Sequence, residues 1–247
     1  MHLGMYLEPN RAEYERQQQR VIKLINQHGA KEGLRAWQND SINIGGSIPL
    51  RGADLSEIDL SEADFSGADL TGANLSKSKA VRTCFVGASL DEVNMHGLIA
   101  PAANFTASQM NSARIHQANL TCAILDSIVA CHTRFWETKL PYAQFKNAKL
   151  LFADFSGTDC EDTLFQGADL RLAKLRHAFL QGANFHGADI RDTAFIDAFG
   201  RKNITVSIQA LYKASDLTKA KTKSAKLAMT FPQMIYLASR GKVPLSA

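Results

Sequence analysis

The chain has 247 residues, of which 45% are apolar, 21% charged and 8% aromatic. This composition is typical of a folded protein with a sizeable core and excludes a disordered or collagen-like chain. The four cysteines include no C-x-x-C pair, which argues against a disulfide framework and a thiolate metal site. No apolar run approaches the roughly 20 residues that cross a bilayer, and no charged leader precedes an apolar stretch at the N-terminus. We therefore expect a cytoplasmic protein without a membrane segment.

The formal net charge of +4 is distributed unevenly along the chain. Residues 1–50 carry 6 Lys or Arg against 5 Asp or Glu, residues 51–200 carry 13 against 18, and residues 201–247 carry 9 against 1. The corresponding net charges are +1, −5 and +8. This division indicates three parts with different surroundings.

The N-terminal part has the pattern of two short helices. Residues 9–28 form the first, with Asn10 and Glu13 in a capping-box arrangement and Gly29 as the stop. Residues 30–38 form the second. The predicted inward side chains of the two helices are Val21, Leu24, Ile25, Leu34 and Trp37.

From Leu50 to Phe195 the sequence repeats every five residues. Each unit has a small residue, often followed by Asp or Asn, then a large apolar residue and two mostly polar or small residues, as in 53–57 and 68–72. The large apolar position falls on every multiple of five without insertion, and Leu, Phe, Ile or Met fills 26 of these 30 positions. A period of five suits neither an amphipathic helix nor an alternating strand. It suits a chain that is briefly extended and then turns a corner.

These units resemble the pentapeptide-repeat family, whose motif is A-(D/N)-L-x-x, and the resemblance covers about residues 48–199. It implies an all-β solenoid, namely a right-handed quadrilateral parallel β-helix in which four pentapeptides make one coil of 20 residues. The repeat region then contains about 7.5 coils, with short helical N- and C-terminal segments and a need for caps at both open ends.

Residues twenty apart are matched in size, as stacked coils require. Phenylalanine at the central positions lies in two opposite columns, and the two columns between them contain Leu, Met, Ile, Ala and Cys. The first aromatic column is the predicted core ladder, which comprises Phe65, Phe85, Phe105, Leu125, Phe145, Phe165 and Phe185. The corner after this ladder carries Gly67, Gly87, Gly167, Gly187 and Asn147, which predicts type II turns there. We expect the other, less glycine-rich corners to turn differently.

The tail over 201–247 is predicted to be helical near 208–217 and 230–240, with a basic stretch at 219–226. It is interpreted either as a solvated basic cap or as a binding segment for nucleic acid or an acidic protein. The predicted domains are a helical N-terminal cap (1–47), the β-helix (48–200) and this tail.

The outward positions carry the candidate function, because the interior is filled by packing. One apolar group occurs on three consecutive coils and is predicted to form a partner patch: Val129, Cys131, Leu151, Phe152 and Leu172. A terminal segment folded over this patch is an alternative interpretation. His96 and His116 are predicted to lie one coil apart as a solvated pair, with too few ligands for zinc.

No nucleophile, acid–base set, phosphate-binding loop or cofactor motif is evident, so we expect no enzyme activity, no cofactor and no metal. The favoured function is a protein-interaction scaffold with an unidentified protein partner. The alternative, implied by resemblance to the fluoroquinolone-resistance members of the family, is a DNA mimic that binds a topoisomerase such as gyrase. The weak negative charge of the repeats and the basic tail disfavour mimicry of DNA. The family also implies end-to-end homodimers, which the tail would obstruct.

Overall fold

A computed structural model of the protein describes residues 11–39, 47–195, 198–200, 205–206 and 221–222. The helical element is α1 (Arg11–Gln38). The strands of two residues are β1 (Asn184–Phe185), β2 (Phe199–Gly200), β3 (Thr205–Val206) and β4 (Lys221–Thr222). Most of the remaining chain winds as a solenoid held by single-residue parallel bridges.

Helix α1 packs against the first coil of the solenoid. The chain leaves helical geometry at Gly29 (φ 76°), the residue at which the sequence predicts the first helix to stop. Gln18 Nε2 donates to the Arg51 carbonyl oxygen at 2.6 Å, and Lys31 Nζ lies 2.9 Å from Glu62 Oε2. The buried helix residues belong to the same apolar cluster as the solenoid interior: Val21, Ile25, Ala30, Leu34 and Trp37. This contact removes the first coil's apolar end from water. The predicted capping residue Asn10 lies outside the described residues.

The register of the solenoid is constant over most of its length. Every fifth residue from Pro49 to Lys174 forms a parallel bridge with the residue twenty positions later. At the first bridge the Leu50 N–H donates to the Asp69 carbonyl at 2.9 Å, and the Asp69 N–H donates to the Ile48 carbonyl at 2.9 Å. Four bridges in twenty residues give each coil four sides. Because the backbone groups pair with the coils above and below, the extended segments do not need a wide sheet.

All described corners from residue 52 to residue 192 have the same backbone geometry, contrary to the prediction that corners without glycine turn differently. Every fifth residue in this range has a positive φ, whether it is glycine, as at Gly67 (φ 65°), or a larger residue, as at Tyr142 (φ 60°). In most of these turns the N–H of the fourth residue donates to the carbonyl oxygen of the first, as from Ala53 to Leu50 at 3.0 Å. This is the φ pattern of a type II turn. The inter-coil hydrogen bonds stabilise this turn even at residues that disfavour a positive φ.

The Asp or Asn of the repeat stabilises these turns from outside. Its side-chain oxygen accepts the backbone N–H two residues later, as in Ser56 N–H to Asp54 Oδ1 at 3.1 Å and Thr106 N–H to Asn104 Oδ1 at 3.0 Å. Such a bond satisfies a donor that the corner leaves without a backbone partner. The motif position is therefore explained by turn chemistry without a catalytic role.

The interior is filled by the central residues of the repeats. All seven members of the predicted core ladder are buried, and successive rings stack, with centroid distances of 5.4 Å for Phe65 and Phe85 and 5.2 Å for Phe145 and Phe165. The opposite column meets the ladder edge to face, with Phe135 and Phe155 each 5.6 Å from Phe145. Buried threonine hydroxyls donate to carbonyls of the preceding coil, as Thr133 does to Met110.

Parallel pairing continues past Phe195 with a shifted register. Strand β1 pairs with β3 at an offset of 21 residues, as Asn184 with Thr205, and β2 pairs with β4 at an offset of 22, as Phe199 with Lys221. One turn of the chain therefore takes 21 or 22 residues here, instead of the 20 residues of the earlier coils. The helices predicted near 208–217 and 230–240 lie outside the described residues.

Candidate interaction surface

The predicted partner patch occupies one corner of the solenoid. Phe152 and Leu172 are 42% and 43% exposed and follow one another at the same position of successive coils. Val129, Cys131 and Leu151 are half-buried beside them. The fixed register holds Cys131 and Leu151 in one column and Phe152 and Leu172 in the next. Exposed apolar groups of this kind, held at coil spacing, suit a protein contact.

The structure adds one residue that the sequence reasoning missed. His132 precedes Phe152 by twenty residues, and the two rings stack with centroids 4.8 Å apart and an interplanar angle of 11°. The aromatic part of the patch therefore extends from Phe152 to the coil that carries Val129 and Cys131. The twenty-residue spacing could have identified His132, but the sequence prediction counted only aliphatic, phenylalanine and cysteine side chains.

Charged groups surround the patch. Lys149 follows Val129 at the same position of the next coil. Arg171 follows Leu151 and is held by Asp169, with Nη2 to Oδ2 at 2.7 Å. The Arg171 guanidinium beside Asp169 holds the pKa of that carboxyl below its usual range. An apolar centre with a polar rim is the arrangement that protein interfaces commonly have.

Among the residues that the structure describes, three other large apolar side chains are exposed away from this corner, namely Ile99 (48%), Tyr142 (52%) and Phe179 (54%). Ile99 and Phe179 share a column but lie four coils apart, and Tyr142 lies in a different column. They do not form a second contiguous patch with one another.

The predicted histidine pair belongs to a longer outer stack. His96 and His116 have ring centroids 4.5 Å apart, and His116 lies flat on Trp136 at 4.4 Å with an interplanar angle of 5°. His96 Nδ1 lies 3.3 Å from the His116 carbonyl oxygen, whereas His116 Nδ1 is buried without a hydrogen-bond partner among the described residues. The pair is therefore stacked and partly buried, not simply solvated.

Burial and the neighbouring charges both disfavour the protonated form of His116. Burial lowers the pKa of His116, and His96, Arg134 and Arg114 lower it further, against an opposing effect of Glu137. The neutral imidazole costs less free energy to bury against the indole than the charged ring does. Within the described residues, no group of three or more His, Cys, Asp or Glu side chains is placed to hold a metal ion.

The cysteines are all free, in agreement with the absence of a paired spacing. Cys160 lies in the core, where burial raises the pKa of its thiol to about 12, so it is not a nucleophile at neutral pH. Cys122 is exposed, Cys131 is half-buried in the patch, and Cys84 is half-buried on another side of the solenoid. No helix within the part of the chain that the structure describes has the length and apolar character of a membrane span.

Comparison with known proteins agrees with this geometry. A family model described as pentapeptide repeats matches eight copies, over residues 50–87 and 153–192. Both matched stretches are therefore pentapeptide repeats. Such repeats imply a right-handed quadrilateral β-helix, and the four-sided coils agree with a quadrilateral form.

Solved pentapeptide-repeat structures show low sequence identity to the chain. QnrB1, a plasmid-mediated fluoroquinolone resistance protein, is 21% identical, with 58% of this chain and 79% of that chain covered and a TM-score of 0.41. Rfr23 from the cyanobacterium Cyanothece 51142 is 25% identical, with 52% and 91% covered and a TM-score of 0.38. HetL from Nostoc sp. strain PCC 7120, a protein involved in heterocyst differentiation regulation, is 24% identical, with 68% and 94% covered and a TM-score of 0.21. A search of curated proteins found no match.

Proposed function

We propose that this pentapeptide-repeat protein is a non-enzymatic, cytoplasmic scaffold that binds another protein through the patch around Phe152. The observation that carries the proposal is the contiguous exposed surface of His132, Phe152 and Leu172 on a rigid frame. The coil register fixes the backbone under these side chains, so binding costs little backbone freedom, which favours recognition by shape. The filled interior supports the absence of catalysis, because a converging set of reactive groups needs a cavity.

The proposed organisation follows the sequence prediction. Residues 1–47 cap the first coil, 48–200 form about 7.5 coils of β-helix, and 201–247 form a basic tail with helical segments. The contacts of α1 with the first coil support the N-terminal cap. The paired strands β3 and β4 lie within the tail, which suggests that part of it extends the solenoid.

The charge distribution favours a scaffold over a DNA mimic that binds gyrase. Arg134, Lys139 and Lys149 lie on three sides of one coil, and Lys146 lies at the corner after the fourth side, so together they surround the rod as a basic belt. A belt of this kind interrupts a negative surface on every side. A DNA mimic needs a continuous negative potential to compete for a nucleic-acid site.

Affinity capture from the native cytosol tests the scaffold proposal. Phe152→Asp places a charge in the centre of the patch and is expected to abolish capture of the specific partner. Ile99→Asp is the matched control, because Ile99 is similarly exposed on another side of the rod. Equal capture by the two variants would contradict the assignment of the patch.

A gyrase supercoiling assay with and without a quinolone tests the alternative. We expect no inhibition and no protection at micromolar concentrations of this protein. Either effect would favour the DNA-mimic function. Light scattering of the same preparation measures the oligomeric state, for which the family implies an end-to-end homodimer.

A further inference from the structure

The outer aromatic stack ends at Trp136, and the next coil leaves a gap above it. One face of the indole is covered by His116 at 4.4 Å. The following residue of the column is Ser156, whose small side chain cannot cover the other face. Trp136 therefore presents one supported, rigid aromatic face.

This face borders a depression of about 450 Å³, lined by Trp136, Glu137, Asp154, Ser156, Gly157 and His177. We call it the Trp136 slot. Trp136 and the coil that carries His177 are separated by two coil spacings, roughly 9.6 Å at 4.8 Å each. One planar group fits between them at ordinary stacking distance, in the place that an aromatic residue at position 156 would occupy.

The lining of the slot favours a cation. It contains the carboxylates of Glu137 and Asp154 and no Lys or Arg, while Arg176 follows Ser156 in the same column on the next coil, outside the lining. Glu137 Oε2 accepts a hydrogen bond from Gln117 Nε2 at 2.9 Å, and Glu137 forms no ion pair with the other described residues. Asp154 accepts the Ser156 N–H and hydroxyl through Oδ1, and its Oδ2 lies 3.7 Å from Lys174 Nζ. The Glu137 carboxylate is therefore available to a ligand, and the Asp154 carboxylate is only weakly paired with Lys174.

A guanidinium satisfies both features of the slot. It is planar, it stacks on aromatic faces, and its fork of N–H donors matches a carboxylate. A cation within about 6 Å of the ring centroid is attracted to the indole face. A nucleobase would also stack, but its phosphate would face the two carboxylates, which repel it.

We propose that the Trp136 slot binds an arginine side chain of the protein partner, with the guanidinium stacked on Trp136 and paired with Glu137. This inference rests on the proposed scaffold function, since it defines the chemistry of the partner. Ser156 follows Phe152 by four residues on the same coil, a reach of at most about 14 Å. A single partner segment with an apolar residue and an arginine can therefore occupy the patch and the slot together.

The slot can be tested without knowing the partner. The full chain contains two tryptophans, so labelling the indole nitrogens with ¹⁵N gives one signal for Trp136 and one for the buried Trp37. We expect Nα-acetyl-arginine amide to shift the Trp136 signal saturably and to leave the Trp37 signal unchanged. The neutral analogue Nα-acetyl-citrulline amide should bind about tenfold more weakly or not at all, because it lacks the positive charge.

Three variants define the result. Ser156→Phe extends the outer stack into the slot and should abolish the titration, and Glu137→Gln should weaken it about five- to tenfold. Ser56→Phe is the matched control, because Ser56 donates its N–H and hydroxyl to Asp54 as Ser156 does to Asp154. It lies far from the slot and should leave the titration unchanged.

The outcome separates this inference from the scaffold proposal. A Trp136 signal that does not shift saturably, or that responds equally to the arginine and citrulline amides, would overturn the slot and leave the patch standing. Phe152→Asp should not alter the arginine titration. If it abolishes partner capture while Ser156→Phe leaves capture intact, the partner uses the patch alone and the slot is wrong.

Discussion

Replacement of Phe145 by alanine tests the assignment of inside and outside most directly. The Phe145 side chain has no exposed surface. It is stacked on Phe165 with centroids 5.2 Å apart, and its edges meet Phe135 and Phe155 at 5.6 Å. The substitution removes the ring from all three contacts at once.

The expected loss is about 3–5 kcal/mol in the free energy of unfolding. Removal of a fully buried phenylalanine costs about 1.5–3 kcal/mol in transfer free energy, and the remaining cavity adds to this cost. The walls cannot collapse easily, because inter-coil hydrogen bonds fix the spacing, as between the Phe145 N–H and the Leu164 carbonyl at 2.7 Å. We therefore expect a value towards the upper end of the range.

Urea and thermal unfolding followed by circular dichroism measure this effect. Gln144→Ala is the control, because Gln144 lies next in sequence but points outward, and its loss should cost under about 0.5 kcal/mol. The melting temperature of Phe145→Ala should fall by roughly 6–20 °C relative to the control. Equal melting temperatures for the two variants would refute the packing described for the core.

Three further predictions concern the cap, the outer stack and the corners. Lys31 and Arg82 hold the pKa of the Glu62 carboxyl at about 2, below its ordinary value of 4.5, so its contribution to stability is present above pH 4.5 and lost as pH falls towards 2. The difference in melting temperature between the wild type and Glu62→Gln should disappear over that interval, and a difference that persists at pH 2 would argue against the ion pair. Because the pKa of His116 is lowered in the folded state, the unfolded chain takes up the proton first, and the stability of the wild type relative to His116→Gln should fall as pH drops below about 6.5. The opposite trend in thermal unfolding would contradict the burial of this ring. Gly182 and Gly187 have nearly equal φ values of 72° and 71°, but an added Cβ at Gly182 would collide with the Asp162 carboxylate, whereas at Gly187 it meets only ordinary contacts. Gly182→Ala should therefore be less stable than Gly187→Ala by about 1 kcal/mol, the cost of displacing the Asp162 side chain, and equal urea midpoints would count against this contact.

The sequence was informative about the solenoid because its pattern is local and repeated. Every coil places the same five-residue unit in the same environment. Phe65 and Phe85 stack on each other one coil apart, so the size of one residue restricts the size of the other. The alternation of buried and exposed positions follows from steric packing within one unit. The family and the inward and outward sides of the repeat therefore could be predicted without coordinates.

The corners show where local reasoning failed. Glycine predicted one type of turn correctly, as at Gly67, but the same turn occurs at Glu57 and Lys77, which do not favour positive φ. Left-handed backbone costs a residue with a side chain about 1–2 kcal/mol. The cooperative hydrogen bonds between coils offset that cost, and their contribution is a property of the assembled solenoid.

The outer surface depended most on tertiary structure. The sequence placed His96, His116 and Trp136 in one column and located the residues around Phe152, but it did not predict that His132 would stack on Phe152 or that Ser156 would leave the face of Trp136 open. Such contacts depend on the distance between coils and the rotamers of neighbouring side chains. The repeat by itself determined the five-residue period and which side chains face inward, because each unit carries its own packing pattern. Only the stacking of the coils decided which outward groups meet, since those groups are twenty residues apart in the chain and have no local interaction that fixes them.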